Sequence, residues 1–399
     1  MKKILNLVTA AVFGLAWAGA LNAADAVSPF EGAGLSLSAA SAEVPAAPAP
    51  AAVENRAPAA PSAPVHGFTA DQLGRMSNHN EGTFRSEAKG LGFEGDDLRV
   101  ERKYRPYADY ETPGYLIMSS EFNFNSRQAK LLMASKLPAG ATLVIFTDYD
   151  DASTKENILR TYETVVPRSR IKVIALQGAY QGFWARDGIP VPAIDRGGNL
   201  VVVDAVYGHR FEPDAQIAGL FGATLEKHRY YYEGGNYMAN HAGDCIMVNH
   251  GAHVQIPDSV FIGQYGCRQM IRLPFVDGIG HIDEHVRFIS EKVLVTDLPE
   301  YKDVLQGKGF TVHMLPKPSG PYETYVNSLI MNDQVIVPVF GRSTDAQALA
   351  VYERLGLRAS GADSKALSNQ GQGSVHCITM TYPPVPMTKL LKSLGAREL

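Results

Sequence analysis

The stretch that decides the fold runs from 141 to 176. "ATLVIFT" (141–147) is a short β-branched, apolar run; "DDASTKENILRTYETVV" (150–166) opens with capping residues and continues at helical spacing; "RIKVIAL" (170–176) returns to strand character. This is a strand, helix, strand unit. Working outward, the alternation recurs: "NLVVVDAVYG" (199–208) and "KVLVTD" (292–297) read as strands, "PEYKDVLQGKG" (299–309) as a short helix and "FTVHML" (310–315) as a strand. "NSLIMNDQVIVPVFG" (327–341) predicts a hairpin turning at Asn332 and Asp333, followed by the helix "DAQALAVYERLG" (345–356). Short mixed elements argue for the α/β class. Periodicity alone leaves open a doubly wound sheet and a ring of small repeats, and no repeat is visible to the eye.

The chain of 399 residues is 45% hydrophobic and 20% charged, enough to bury a large core. A formal charge of −4 gives no electrostatic reason to expect nucleic acid or an anionic membrane as a partner. Lys2 and Lys3, the apolar run from Ile4 to Leu21 and the small residues from Gly19 to Ala26 read as a secretory signal peptide over 1–26. Residues 27–66 are dominated by Ala, Pro and Ser, as in "VPAAPAPAAVENRAPAAPSAP" (44–64), and offer too little apolar surface to offset the entropy of ordering. They are expected to be a linker, and the folded catalytic unit is expected over 67–399. The membrane then matters only for export, and the expected location is secreted, periplasmic or in the cell envelope.

Three cysteines, Cys245, Cys267 and Cys377, leave at least one thiol unpaired within the monomer. Cys245 and Cys267 either pair, leaving Cys377 free, or stay as buried thiols.

Four segments concentrate polar, titratable and aromatic residues in strand-like surroundings: "FWARDGIP" (183–190), "EGGNYM" (233–238), "GHIDEHV" (280–286) and "GQGSVHCITMTYP" (371–383). Cys377 follows a Gly-rich approach and precedes a β-branched pair, which places it at a loop-to-strand junction open to a cleft. There it is either a nucleophile activated by a cationic neighbour or a small buried hydrophobe. A strand period of two in "GHIDEHV" puts His281, Asp283 and His285 on one face. Such a row could ligate a divalent metal, but no fourth ligand can be identified, and no metal is expected. Asp187 follows Trp184 and Arg186, and an indole plus a carboxylate suits an arginine-like ligand, stem against ring and planar fork against acid. Arg186 itself is expected to pair with a neighbouring acid. Gly234, Gly235 and Asn236 read as a tight turn at a pocket floor.

Together with "YVNSLIMN" (325–332), these segments resemble the guanidino-group-modifying superfamily, specifically the agmatine deiminase and bacterial-type peptidylarginine deiminase family. The resemblance covers most of the chain from about Tyr115 onward, with five motifs in the family's order. It implies a five-fold pseudosymmetric α/β propeller (pentein) of ββαβ-type units. It also implies a catalytic set of Cys377 as nucleophile, His281 as general acid/base, Asp283 as a guanidinium-binding carboxylate and Asn327 as an amide beside the cysteine. Asp187, as the second such carboxylate, Trp184, as a wall of the site, Arg210 and Asn236 form the expected substrate-binding set; His285 is left as structural. No cofactor is implied.

The resemblance further implies hydrolysis of a guanidinium to a carbamoyl product and ammonia. An exported enzyme meets peptides and proteins, so the expected substrate is peptidyl-arginine, with agmatine or free arginine as the alternative. "VDAVYGHR" (203–210) resembles the peptidylarginine branch, where a pair of arginines in this loop receives a substrate carboxylate. Here the local residues are His209 and Arg210.

Overall fold

The computed structural model describes residues 62–91, 100–387 and 397–398, so the expected signal peptide and positions 27–61 of the expected linker lie outside the described residues. The strands among the described residues form five sheets. Each is built on one plan: two strands pair antiparallel, and the second then pairs in parallel with a third. Val191–Asp195 pairs antiparallel with Leu200–Val206, which crosses over through the helix Asp214–Phe221 to lie parallel to Thr224–Tyr231. The same plan runs through Met238–Ala239, Asp244–Asn249 and Gln269–Pro274. It recurs in Val286–Phe288, Val293–Thr296 and Thr311–Met314, and again in Leu329–Met331, Gln334–Val339 and Arg358–Asp363. The fifth sheet takes its first strand, Met380–Tyr382, from near the C-terminal end of the chain and pairs it with Tyr115–Ser119, followed by Thr142–Thr147 and Ile171–Ala175.

The packing between sheets shows why the strands read as near-continuous apolar runs. Successive side chains of a strand point to opposite faces, and here the two faces belong to two different cores. Val201 and Val203 join Cys245 and Met247 of the next sheet, whereas Leu200 and Val202 join Ile117 and Val144 of the previous one. Ile246 and Val248 pack with Phe288 and Leu294, Val295 with Val335 and Val337, and Ile336 with Leu116 and Ile145. Each apolar cluster lies between two neighbouring sheets, and the fifth returns to the sheet that began the series. This is the expected five-unit α/β propeller, with both faces of each sheet covered.

The hairpin forms as anticipated, Asn332 taking a left-handed φ of 58°. Two features differ from expectation. A helix, Ala70–Leu91, precedes the propeller and is anchored by the buried Asn80 side chain, which donates to the carbonyls of Tyr231 and Ala252 and accepts from the Tyr231 N–H. The expected linker boundary also moves: Ala63 and His66 are buried against the folded unit, so ordered chain starts by residue 62. Composition hid this because the Ala/Pro run continues into residues that gain burial from tertiary contacts.

Cys245 and Cys267 form a disulfide across a sequence separation of 22, and Cys377 is the free thiol. Closing a loop of that length stabilises the fold by about 3 kcal/mol in the chain-entropy model. Replacing both cysteines by alanine is expected to lower the unfolding free energy in guanidinium chloride by that order; an unchanged midpoint and slope would refute the contribution.

Candidate active site

The polar motifs occupy equivalent places in the five units. Asp187 lies in the short helical turn Ala185–Gly188, just before the strand Val191–Asp195; Gly234–Asn236 is a 3-10 turn just before Met238–Ala239. His281 caps the 3-10 turn Ile282–Glu284, which contains Asp283 and precedes Val286–Phe288; Asn327 precedes Leu329–Met331 and Cys377 precedes Met380–Tyr382. Propeller symmetry therefore collects these pre-strand loops. Backbone bonds tie them together: Arg186 N–H donates to the Cys377 carbonyl at 3.0 Å, and Gly235 N–H to Asp187 Oδ1 at 2.7 Å.

Gly235 marks the centre of the group. A Cβ there would lie 2.8 Å from Asp187 Oδ1, 2.8 Å from His281 Nδ1 and 3.4 Å from Asp283 Oδ1. The Cys377 thiol reaches Asp283 Oδ2 at 3.5 Å, and Asn327 Nδ2 donates to Cys377 Sγ at 3.0 Å. Two carboxylates, an imidazole, an amide and a thiol thus face one small space, all buried. Asp283 Oδ1, Glu233 Oε1, His281 Nδ1 and the Tyr207 hydroxyl have no hydrogen-bond partner among the described residues.

The charges are balanced from behind. His376 lies between two acids, Nδ1 against Asp283 Oδ2 at 2.7 Å and Nε2 against Asp109 Oδ2 at 2.9 Å. Asp109 also meets Arg186 at 3.2 Å and Arg287 at 2.8 Å, which confirms the acid partner expected for Arg186. Burial by itself pushes the Asp283 carboxyl up, but the His376 hydrogen bond and the nearby His376, His281 and Arg287 hold it well below the usual carboxylate range. Burial likewise opposes ionisation of Asp187, and His66 and His281 overcome it. Burial drives the Cys377 thiol well above its ordinary value, and the negative charges of Asp283 and Asp187 drive it further. His281 is pushed down by burial against the pull of Asp187.

Several sequence expectations are corrected. Cys377 sits at the anticipated loop-to-strand junction but is fully buried rather than open to a cleft, within an apolar cluster that also holds Phe183, Trp184, Val375 and Ile378. "GHIDEHV" is a 3-10 turn rather than an extended row; its local hydrogen bonds turn His285 away to Asp297, at 2.9 Å. Asn236 has no amide group to spare for a substrate: Nδ2 donates to Val248 O and His253 Nδ1, and Oδ1 accepts from the Val248 and Ile282 N–H groups. Arg210 is exposed, with a left-handed φ of 61°, and is not brought to the group; its neighbour His209 is. Trp184 is buried, and the ring stacked on it at 4.3 Å is that of His66.

His66, Asp109, Glu233 and His376 were not anticipated. His376 adjoins Cys377 and Glu233 opens "EGGNYM", so both lay inside motifs already singled out; Asp109 and His66 carried no local signal. His66, Asp187 and His281 offer ligand atoms within 4.8 Å of one another, a set able to hold a metal ion, but His66 and Asp187 already hydrogen-bond directly.

The family model of the Porphyromonas-type peptidyl-arginine deiminases matches residues 126–383, which is more than half of the chain. The chain belongs to this family. Agmatine deiminase from C. jejuni is similar in structure at 18% identity, covering 71% of this chain and 97% of that one with a TM-score of 0.59. Agmatine deiminase of Enterococcus faecalis aligns at 17% identity over 72% and 98%, and a candidate arginine deiminase from Porphyromonas gingivalis at 18% over 70% and 98%, each with a TM-score of 0.57. At such identities the likeness concerns the fold. No curated protein sequence matches. Family membership makes the protein a hydrolase of guanidino C–N bonds.

His285 offers a pH test of the loop's anchoring. Burial lowers its affinity for a proton, but the Asp297 carboxylate outweighs this and raises the imidazole to about 9. The folded value lies above the unfolded one of about 6.5, so the pair stabilises fully below about pH 6.5 and the contribution is lost as pH rises through about 9. Asp297→Asn is expected to lower the thermal midpoint near neutral pH, with the gap to wild type closing above about pH 9. A gap independent of pH would mean the pair is not ionic.

Proposed function

We propose that this deiminase is an exported peptidylarginine deiminase, converting arginine residues to citrulline and ammonia through a covalent adduct on Cys377. The observation that carries the chemistry is the convergence of Asp187, Asp283 and His281 on the space above Gly235, beside a buried thiol, with Asp283 Oδ1 unpartnered. Such a space calls for a planar cation with several N–H donors, and a guanidinium supplies them in a fixed fork.

The same acids that grip the cation explain how the sulfur becomes reactive. In the absence of a cation, burial and these acids together hold Cys377 as a thiol. A guanidinium between them neutralises their field, the thiol loses its proton to His281, and sulfur attacks the guanidinium carbon. His281 returns that proton to the departing nitrogen, the C–N bond breaks and ammonia leaves a thiouronium adduct. Water, deprotonated by His281, adds to the same carbon; the C–S bond breaks and the carbamoyl product departs. Asn327 orients the sulfur, and the Asp109–His376 pair keeps Asp283 in place and ionised.

Three features support peptidyl-arginine and export: the peptidyl-arginine character of the family, the signal-like N-terminus, and the Cys245–Cys267 bond, which suits an oxidising compartment. Assays of ammonia and carbamoyl product with blocked arginyl peptides, free arginine and agmatine test the reading. Arginyl peptides are expected to give the highest kcat/KM; faster turnover of agmatine or arginine would reassign the substrate to a small guanidine.

Cys377→Ala is expected to abolish turnover with the fold kept, and clear residual ammonia release would remove the nucleophile assignment. Asp187→Asn leaves a buried cation without its partner, a cost of about 3 kcal/mol or roughly a hundredfold in kcat/KM. Gly235→Ala is expected to be as damaging, because its methyl would fill the guanidinium position.

A further inference from the structure

Residues 62 to 68 cross the candidate active site, and His66 enters it. The His66 ring lies flat on Trp184 at a centroid distance of 4.3 Å, meets His281 edge-on at 5.1 Å and hydrogen-bonds through Nε2 to Asp187 Oδ2. Its other nitrogen, Nδ1, donates to the Gln372 carbonyl at 3.2 Å. An acceptor on each nitrogen favours the imidazolium form: burial disfavours the charge, but Asp187, Asp283 and Glu284 outweigh it and raise the group above its ordinary value. A flat cation stacked on an indole and bonded to Asp187 is what the preceding reading asks of a substrate guanidinium.

The main chain around His66 is held as well. His66 N–H donates to the Gly371 carbonyl at 2.9 Å, the His66 carbonyl accepts from His209 Nε2 at 3.1 Å, and the Pro64 carbonyl accepts from Trp184 Nε1 at 2.9 Å. Phe68 stacks on His209 at 4.6 Å. The passage is narrow at Gly67, where a Cβ would lie 2.6 Å from Gln372 Oε1 and 3.0 Å from Ile279 Cγ2. Apart from the imidazole and the Phe68 ring, every group used in these contacts is one that any polypeptide presents. The chain runs on in both directions from the inserted residue.

We propose that Pro64–Phe68 is a pseudosubstrate seated in a peptide-binding cleft, with His66 in place of an arginine inside a polypeptide, so that the full chain is latent until this segment is displaced. The proposal rests on the guanidine-hydrolase reading of the site and narrows it. The site takes an internal arginine, with His209, Trp184 and the Gly371 carbonyl reading the main chain on either side. Histidine suits the role for two reasons. Its ring is shorter than an arginine side chain, so it satisfies Asp187 and leaves Asp283 Oδ1 without a partner. Its amidine-type carbon also lies in an aromatic ring whose nitrogens cannot leave, so Cys377 cannot convert it.

The test uses the full chain as wild type, as His66→Ala and as His66→Arg, with an acetylated and amidated peptide Ala-Pro-Val-Arg-Gly-Phe, agmatine and arginine as substrates. Freeing a site that is mostly self-occupied raises apparent affinity by the inverse of the free fraction, so His66→Ala is expected to gain about tenfold or more in kcat/KM on the blocked peptide. The matching peptide with histidine in place of arginine is expected to inhibit His66→Ala competitively.

His66→Arg does not depend on the alanine variant's stability: residue 66 itself is expected to become citrulline, read by peptide mass mapping. Turnover of agmatine or arginine, with no gain in His66→Ala and no conversion of residue 66 in His66→Arg, overturns the pseudosubstrate and leaves the hydrolase reading standing. No turnover of any guanidine by any of the three forms removes the hydrolase reading as well. A gain on agmatine alone, with the blocked peptide inert, overturns the peptide cleft.

Discussion

Two carboxylates kept ionised out of reach of water constrain everything else at the centre of this protein. An isolated buried charge costs several kcal/mol and would protonate instead, so each acid needs partners brought to it. Asp283 has a relay behind it: His376 on one oxygen, Asp109 on the far side of that ring, and Arg186 and Arg287 on Asp109. Asp187 has the Gly235 N–H and the ring of His66. The difference is instructive. Asp283 is balanced by residues built into the propeller, whereas Asp187 borrows a cation from a segment that precedes it in the chain.

The propeller explains how such a cluster can be assembled at all. Each of its five units begins with a strand preceded by a short turn, and the site is made from those turns: residues 185–188, 234–236, 281–284, 327 and 377. Sequence distance is irrelevant to this geometry, since Asp187 and Cys377 are separated by nearly half of the chain and yet their segments share a backbone hydrogen bond. Because both faces of every sheet are packed against a neighbouring unit, the turns stand on a rigid ring, which is what holds reacting groups in register.

This architecture also decides what could be read from the amino acids. Strand-helix-strand alternation was legible in 141–176, and the polar motifs were legible because they interrupt apolar runs. Their common position before the first strand of each unit is a repeat, but it is a repeat of place and not of residues, so the five segments look unrelated. Local conformation was harder. An alternating reading of "GHIDEHV" fails because the turn makes its own hydrogen bonds, sending His285 to Asp297 and leaving His281 and Asp283 at the centre. Asn236 carries the right chemistry for a ligand and commits all of it to backbone groups and to His253, a fact visible only from its partners. His66 was hidden by the Ala/Pro bias around it, and Asp109 by distance: it works through His376 and two arginines that the chain delivers from elsewhere.

The free thiol closes the argument. A free thiol is exposed to disulfide exchange and oxidation in proportion to its thiolate fraction and its accessibility. Here both are suppressed by the same groups that make the site selective. Asp187 and Asp283 repel the thiolate, and burial keeps reagents out. In the proposed mechanism a guanidinium reverses the first effect by entering between the acids. A histidine does so only in part, because it hydrogen-bonds to Asp187 and leaves Oδ1 of Asp283, the acid beside the sulfur, without a partner. The proposed mechanism therefore ties reactivity to a cation long enough to reach both carboxylates.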